Sequence, residues 1–310
     1  MNLSGIRRIN AMSIKGRKTA ERAGQTRRKT KNMNEHDRKY VTLIGTPLRQ
    51  SYAARMQNRA YAAMGVNLHY TYCEAGTEHL GEIVAGLRYM PCAAGFAVTK
   101  PNKVKVLEYL DRVDALCGRI GACNTVVKAP DGALVGYNTD AEGFMLSMRG
   151  SGVDVRGKTA FCIGSGGAGR AIAFALAGMG CGRIYLCSNY GISAAHLAAD
   201  LDGAYPDIAA AVGAGDTAKI AESDIVVNAS GVGMGASEGI SPIPAALLHR
   251  GQFCFDACYN PPETKFLADA RERGCRTMNG LEMSLYQGAR QIELWTGKRP
   301  PLEIMREEIC

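Results

Sequence analysis

Lys103 and Asp140 carry the clearest chemical signal in the chain. They stand in Val98-Thr99-Lys100-Pro101-Asn102-Lys103 and Gly136-Tyr137-Asn138-Thr139-Asp140, with Gly121-Ala122-Cys123-Asn124-Thr125 between them. An ammonium and a carboxylate brought together suit proton transfer to an oxygen that becomes an alkoxide. The intervening chain reads as a short helix after Pro101, a strand over 124–127, a turn at Asp131-Gly132 and a second strand over 134–137. An antiparallel hairpin sets the start of its first strand beside the end of its second. Asn124 and Asp140 then share one end, where the Lys103 loop can join them. The bland alternative is a surface ion pair beside an ordinary hairpin, a contact worth about 0–1 kcal/mol.

The second signal favours the chemical reading. A strand over 158–163 runs into Gly164-Ser165-Gly166-Gly167-Ala168-Gly169-Arg170, and an Ala-rich helix over 171–179 follows at once. Strand, glycine turn and helix in that order bring a pyrophosphate onto a helix N-terminus. Gly164 permits the tight turn, Gly166 the approach of the phosphates, and Gly169 close packing of helix on strand. The alternation continues with a strand over 184–187, a helix over 193–201, strands over 224–229 and 253–256, and a helix over 264–273. This predicts a doubly wound α/β sheet with a dinucleotide loop in its first turn.

With these motifs the chain, from about Tyr40 to its C-terminus, resembles the shikimate/quinate dehydrogenase family. The matching pieces are Gly45-Thr46-Pro47-Leu48 with Ser51, the Lys103 and Asp140 motifs, Asn124-Thr125 and the glycine loop. Asn228-Ala229-Ser230-Gly231-Val232-Gly233-Met234, Asp256-Ala257-Cys258-Tyr259-Asn260-Pro261, Thr264-Lys265-Phe266-Leu267 and Gly280-Leu281-Glu282-Met283 with Gln287 complete them. The Pro-Asn-Lys and Tyr-Asn-Pro versions are closer to the quinate/shikimate branch. The resemblance implies catalysis by Lys103 with Asp140, and substrate contacts from Ser51, Thr99, Asn124, Tyr259 and Gln287. It implies cofactor contacts from Gly164, Ser165, Gly166, Gly167, Ala168, Asn189, Ser230 and Gly280, and no metal. Thr99, Asn124 and Gln287 equally suit strand-end and helix-cap hydrogen bonds, and Tyr259 a half-buried ring.

The chain departs from the family at the recognition end. His-Ser-x-Ser-Pro reads here Gln50-Ser51-Tyr52-Ala53-Ala54, so one of two carboxylate-holding hydroxyls is missing, and Ala97 replaces an asparagine. A hydrogen bond to a charged group is worth about 1.5–3 kcal/mol. Either a neighbour such as Arg49, Tyr52, Arg55 or Lys100 substitutes, or the ring substrate is not shikimate. Cofactor choice is read after the second nucleotide strand, in Ser188-Asn189-Tyr190-Gly191-Ile192-Ser193-Ala194. Tyr190 and Ala194 stand near the positions of the family's NADP-type arginines, and the acid of an NAD site is absent too. Ser188 and Asn189 can bond a neutral ribose, so either NAD or NADP is open, with the balance toward NAD.

The resemblance implies a Rossmann-type nucleotide domain over 141–279 and a smaller α/β substrate domain over 40–140 plus 280–310, with the site in the cleft between them. The first unit reads as strand 40–44, helix 53–64, strand 67–73, helix 77–87 and strand 95–99, closed by the hairpin. Helices over 281–295 and 302–309 must return to it if Gln287 is to reach the substrate. The activity implied is reversible hydride transfer between a nicotinamide and a hydroxyl or ketone on a carboxylated six-membered ring. A ring-acid sensor of the same fold, with a nucleic-acid-binding tail, is the rival reading; Lys103 and Asp140 argue for the enzyme.

Composition fits. With 310 residues the chain can form two cores. Its eleven cysteines lack Cys-x-x-Cys spacing, which points to reduced thiols in a cytoplasmic protein rather than to a disulfide framework or zinc site. The net charge of +8 is uneven: residues 1–39 hold twelve Lys/Arg against three acids, leaving 25 basic and 26 acidic residues for the rest. The body is thus near neutral, and a nucleic-acid partner is not expected of it. The basic tail over 1–39 reads as disordered or as lying upstream of a start at Met33. No apolar run is long enough to span a membrane. A monomer or homodimer is expected.

Overall fold

The computed structural model describes residues 35–189, 191–213 and 216–309. Most of the basic tail (1–34) and Tyr190 lie outside the described residues. Those described form twelve strands in two six-stranded sheets, with ten α-helices.

The first sheet takes β1 (Lys39–Gly45), β2 (Leu68–Glu74), β3 (Ala93–Val98), β4 (Arg112–Val113), β5 (Thr125–Lys128) and β6 (Leu134–Tyr137). Their order is β2-β1-β3-β5-β6-β4. β1 runs parallel to β2 and β3, whereas β5 runs antiparallel to both its neighbours β3 and β6, so the sheet is mixed. Helices α1 (Ala53–Met64) and α2 (Leu80–Tyr89) supply the parallel crossovers, and α3 (Ala115–Ile120) follows the short β4. The turn after Pro101 is a 3-10 helix over Lys105–Tyr109.

Several short elements are absent from the sequence reading, and so is one long helix that bears on the site. Helix α4 (Thr139–Ser151) begins where the hairpin ends, so Asp140 sits in a first helical turn. Asn138 caps it by accepting from the Ala141 amide at 3.1 Å, and Asp140 and Glu142 complement the positive N-terminal end. An asparagine followed by acids is a helix-start signal. It was masked by Gly143 and Gly150, and by burial of Phe144, Ser147 and Met148, which leaves little amphipathic stripe.

The second sheet contains β7 (Thr159–Ile163), β8 (Arg183–Cys187), β9 (Ala209–Ala211), β10 (Ile225–Asn228), β11 (Phe253–Asp256) and β12 (Arg276–Met278). The order β12-β11-β10-β7-β8-β9 is parallel throughout, a doubly wound arrangement whose order reverses between β7 and β10. Helices α5 (Gly167–Gly178), α6 (Gly191–Ala204), α7 (Thr217–Glu222) and α8 (Lys265–Glu272) connect its strands. β7, β10 and β11 are buried along nearly their whole lengths, as a sheet covered on both faces requires.

The chain then returns. Helices α9 (Leu281–Thr296) and α10 (Leu302–Arg306) pack on the first sheet, where Leu285, Ala289, Ile292 and Met305 join Val41, Leu43, Met56 and Tyr61 in one apolar core. Helix α9 also lies against α4. Gly143 makes this possible, because a Cβ there would stand 2.6 Å from Met283 O and 2.8 Å from Gln287 N. That close approach delivers Gln287 to Asn124.

Candidate functional site

Two cavities meet in the cleft between the sheets. The smaller, about 150 Å³, is lined by Ser51, Thr99, Lys103, Asn124, Asp140, Tyr259 and Gln287, which are all the catalytic and substrate residues expected from the sequence. The larger, about 560 Å³, is lined by Gly164 through Ala168 with Asn189 and Ser230. Gly280, expected at the cofactor, instead lines the smaller cavity, under the Ala257 backbone. Thr99, Lys103, Ala168, Ala257 and Tyr259 border both spaces. Lys103 therefore stands at the junction of the two cavities.

Lys103 Nζ donates to Asp140 Oδ2 at 2.6 Å, with the two side chains only 14% and 8% exposed. Asp140 Oδ1 accepts from Asn124 Nδ2 at 2.9 Å. Asn124 also accepts from the Thr139 amide at 2.8 Å and donates to Gln287 Oε1 at 3.3 Å. Its amide is thus spent on holding Asp140 and the first turn of α4, a positioning part beside the substrate contact expected of it. Among the described residues no group of His, Cys, Asp and Glu is placed to hold a metal ion.

At the recognition end, burial chiefly, with Tyr72 and Tyr52 nearby, pushes the Tyr259 hydroxyl up to about 12, so it stays a donor throughout the neutral range. The Ser51 hydroxyl is its hydrogen-bonding neighbour. Tyr52 packs on the Tyr259 ring with centroids 5.5 Å apart, under the Arg55 guanidinium. Arg55 is itself paired with Glu308. Neither Arg49, Tyr52, Arg55 nor Lys100 lines the smaller cavity, so none of these stands where the missing Ala53 hydroxyl would act. Ser284 and Gln291 do line it. Sequence reading missed both, although Gly280, Ser284, Gln287 and Gln291 recur at helical spacing along one face of α9.

The glycine loop fits a dinucleotide. Gly164 has φ +105°, the left-handed turn expected of it. A Cβ on Gly166 would meet nothing within 4 Å, so this position opens on free space at the N-terminus of α5, where phosphates can settle. A Cβ on Gly169 would strike the Gly164 carbonyl. Gly167 has a partner that sequence could not supply: a Cβ there would lie 2.7 Å from Lys103 Cβ and Cδ. The Lys103 side chain is laid across the glycine loop.

Beyond β8 the Ser165 and Ser193 hydroxyls lie 2.6 Å apart, and those of Ser193 and Ser188 3.1 Å apart. The cations lining this cavity are Lys100 and Lys103, both from the loop after β3. Ser230 Oγ donates to Asn228 Oδ1 at 2.6 Å, which fixes the loop after β10.

Residues 43–126 match the model of the shikimate dehydrogenase substrate binding domain, and residues 280–310 that of the shikimate 5'-dehydrogenase C-terminal domain. The chain is 42% identical over 271 residues to shikimate dehydrogenase (NADP(+)) of Moorella thermoacetica, covering 86% of this chain and 90% of that one. Its fold is similar to shikimate 5-dehydrogenase from Listeria monocytogenes in complex with shikimate and NAD, at TM-score 0.80 and 34% identity, covering 89% of this chain and 97% of the other. Quinate dehydrogenase from Corynebacterium glutamicum in complex with NAD is similar at TM-score 0.80 and 29% identity, covering 87% and 98%.

Proposed function

The chain belongs to the shikimate dehydrogenase family, and from that premise we propose that its own reaction is reversible hydride transfer between a nicotinamide cofactor and one ring carbon of shikimate, quinate or a near relative. It is an NAD(P)-dependent oxidoreductase. The observation that carries the finer reading is Lys103, paired with Asp140 at 2.6 Å where the two cavities meet. In ketone reduction the ammonium faces the ring oxygen as negative charge develops there, and it stabilises or protonates it. Asp140, held by Asn124, orients Lys103 and can accept from a neighbouring ring hydroxyl. Ser51 and Tyr259 offer hydroxyls to the ring carboxylate. A bound nicotinamide would supply the hydride or take it up, and Gly164 through Ala168 with Ser188, Asn189 and Ser193 would hold the dinucleotide.

The site residues support a division into a substrate-binding part over 40–140 with 280–310 and a dinucleotide-binding part over 141–279. For the cofactor we propose NAD over NADP, because the described residues at the ribose end offer hydroxyls and an amide and no cation to meet a 2′-phosphate. The substrate is a small ring acid; among the described residues no helix is long and apolar enough to cross a membrane. Initial rates with shikimate and quinate, each against NAD and NADP, test the reading. Turnover of at least one ring acid, fastest with NAD, is expected. No turnover of either acid would overturn the reaction, and a tenfold preference for NADP the cofactor choice.

A further inference from the structure

A line of buried hydrogen bonds reaches Asp140 from the far side of α1. The Tyr61 hydroxyl donates to Gln57 Oε1 at 2.7 Å, and Gln57 Nε2 donates to Gln291 Oε1 at 2.7 Å. Gln291 Nε2 donates to Thr125 Oγ1 at 3.0 Å, and the Thr125 hydroxyl donates to Asn124 Oδ1 at 3.0 Å. Asn124 Nδ2 closes the line on Asp140 Oδ1. Gln57 is fully buried and Gln291 3% exposed. Gln57 and Tyr61 line neither cavity.

Every link points the same way, and the carboxylate dictates the direction. An ionised carboxylate only accepts, so Asn124 must turn its NH₂ to Asp140 and its carbonyl to the Thr139 amide and the Thr125 hydroxyl. Thr125 donates to that carbonyl and is left to accept from Gln291, which orients the Gln291 amide and, through it, Gln57. Reversing one link would face two donors or two acceptors inside a core, and buried polar networks are intolerant of such mismatches. Mere packing between α1 and α9 would be met by leucine or methionine at positions 57 and 291.

We infer that Gln57, acting through Gln291 and Thr125, is a positioning residue for the Lys103–Asp140 pair. By holding the Asn124 amide in one orientation it commits Asp140 Oδ1 inward and leaves Oδ2 for the Lys103 ammonium. The inference rests on the proposed reaction of that pair. Because Gln57 itself lines neither cavity, its loss removes no direct ligand contact and acts chiefly on turnover.

The test compares Gln57→Met, which keeps the length of the side chain, Gln57→His, whose neutral imidazole again offers one donor and one acceptor, Thr125→Val, and the Gln57→Met/Thr125→Val double variant. Steady-state kinetics use the ring acid that wild type turns over, and cofactor affinity is read by NADH fluorescence titration. Expected for Gln57→Met is a kcat about tenfold lower, with KM for the ring acid and cofactor affinity within about twofold of wild type. Gln57→His should recover most of the loss. The double variant should be no slower than the slower single variant by more than about twofold, because both changes break one line. Should Gln57→Met fail to fold, Thr125→Val carries the same kcat-against-KM expectation. Unchanged kcat beside a lowered Tm, or fully additive losses, would overturn the inference while leaving the reaction standing. A wild type inactive on every ring acid would instead remove the reaction itself.

Discussion

Replacing Lys103 by methionine should lower kcat by about a hundred- to a thousandfold while leaving the dinucleotide site intact. Nζ stands 2.6 Å from Asp140, in a pair of which the two side chains are 14% and 8% exposed. Removing one positioned group that stabilises charge developing at a reacting oxygen costs about 2.7–4 kcal/mol, which is that range of rates. A folding cost accompanies it. Stripping one partner from a buried ion pair costs about 3–5 kcal/mol, but Asp140 keeps its bond from Asn124. The lower end therefore applies, and a domain stable by about 5–15 kcal/mol survives it. Methionine is the informative choice because the Lys103 stem lies on Gly167, 2.7 Å from the position of a Cβ. It keeps that stem and removes only the charge, whereas alanine would also empty the floor of the cofactor cavity. The assay pairs steady-state kcat with NADH titration by fluorescence. Cofactor affinity within about twofold of wild type is expected, since a group acting on the transition state shows in rate rather than in ground-state binding. A loss of tenfold or less would refute the chemical role. A collapse of NADH binding with the stem retained would show that the ammonium serves the cofactor instead.

Gly166→Val should abolish dinucleotide binding in a folded protein, since its side chain meets nothing in the chain itself and enters the space left for phosphates; calorimetric titration with NADH checks this, and retained binding would reduce the loop to a structural turn. Ala53→Ser restores a hydroxyl to the smaller cavity and should raise kcat/KM on shikimate about five- to thirtyfold, the equivalent of about 1–2 kcal/mol; no change, beside a wild type already efficient on shikimate, would show that Ala53 carries no specificity. Tyr259→Phe should raise KM for the ring acid roughly tenfold, and evenly between pH 7 and 9. Burial holds the folded hydroxyl protonated up to about 12, above its ordinary value of 10.0, so the stability tied to its proton is complete below pH 10 and fades only as pH climbs from there. A Tyr259→Phe defect confined to one end of that pH range would contradict its role as a standing donor.

The Lys103–Asp140 pairing, the glycine loop and the main strands and helices after it were legible because each is local, whereas the short strands over Ala209–Ala211 and Arg276–Met278 and the helix over Thr217–Glu222 were not. A glycine turn between an apolar strand and an Ala-rich helix, or a hairpin that sets Asn124 beside Asp140, needs only a dozen or so consecutive residues. The same local reading misjudged what lies beyond Asp140. Helix α4 is buried on most sides, so its sequence lacks the stripe that marks a half-exposed helix. Likewise Arg55 was a candidate for the carboxylate until its guanidinium proved to be paired with Glu308, 253 residues away.

What the sequence by itself determined is therefore the chemistry on offer: an ammonium, a carboxylate, hydroxyls and a phosphate-binding turn, each on a recognisable element. Tertiary structure alone decided how they are aimed. Gly143 lets α9 close on α4 and bring Gln287 to Asn124. Gly167 lets the Lys103 stem cross the cofactor loop. Gln57 and Gln291 meet across two helices to set the amide that holds Asp140. These contacts join residues from 64 to 234 positions apart, and nothing in a local pattern encodes the distance between two backbones or the direction in which an amide must turn.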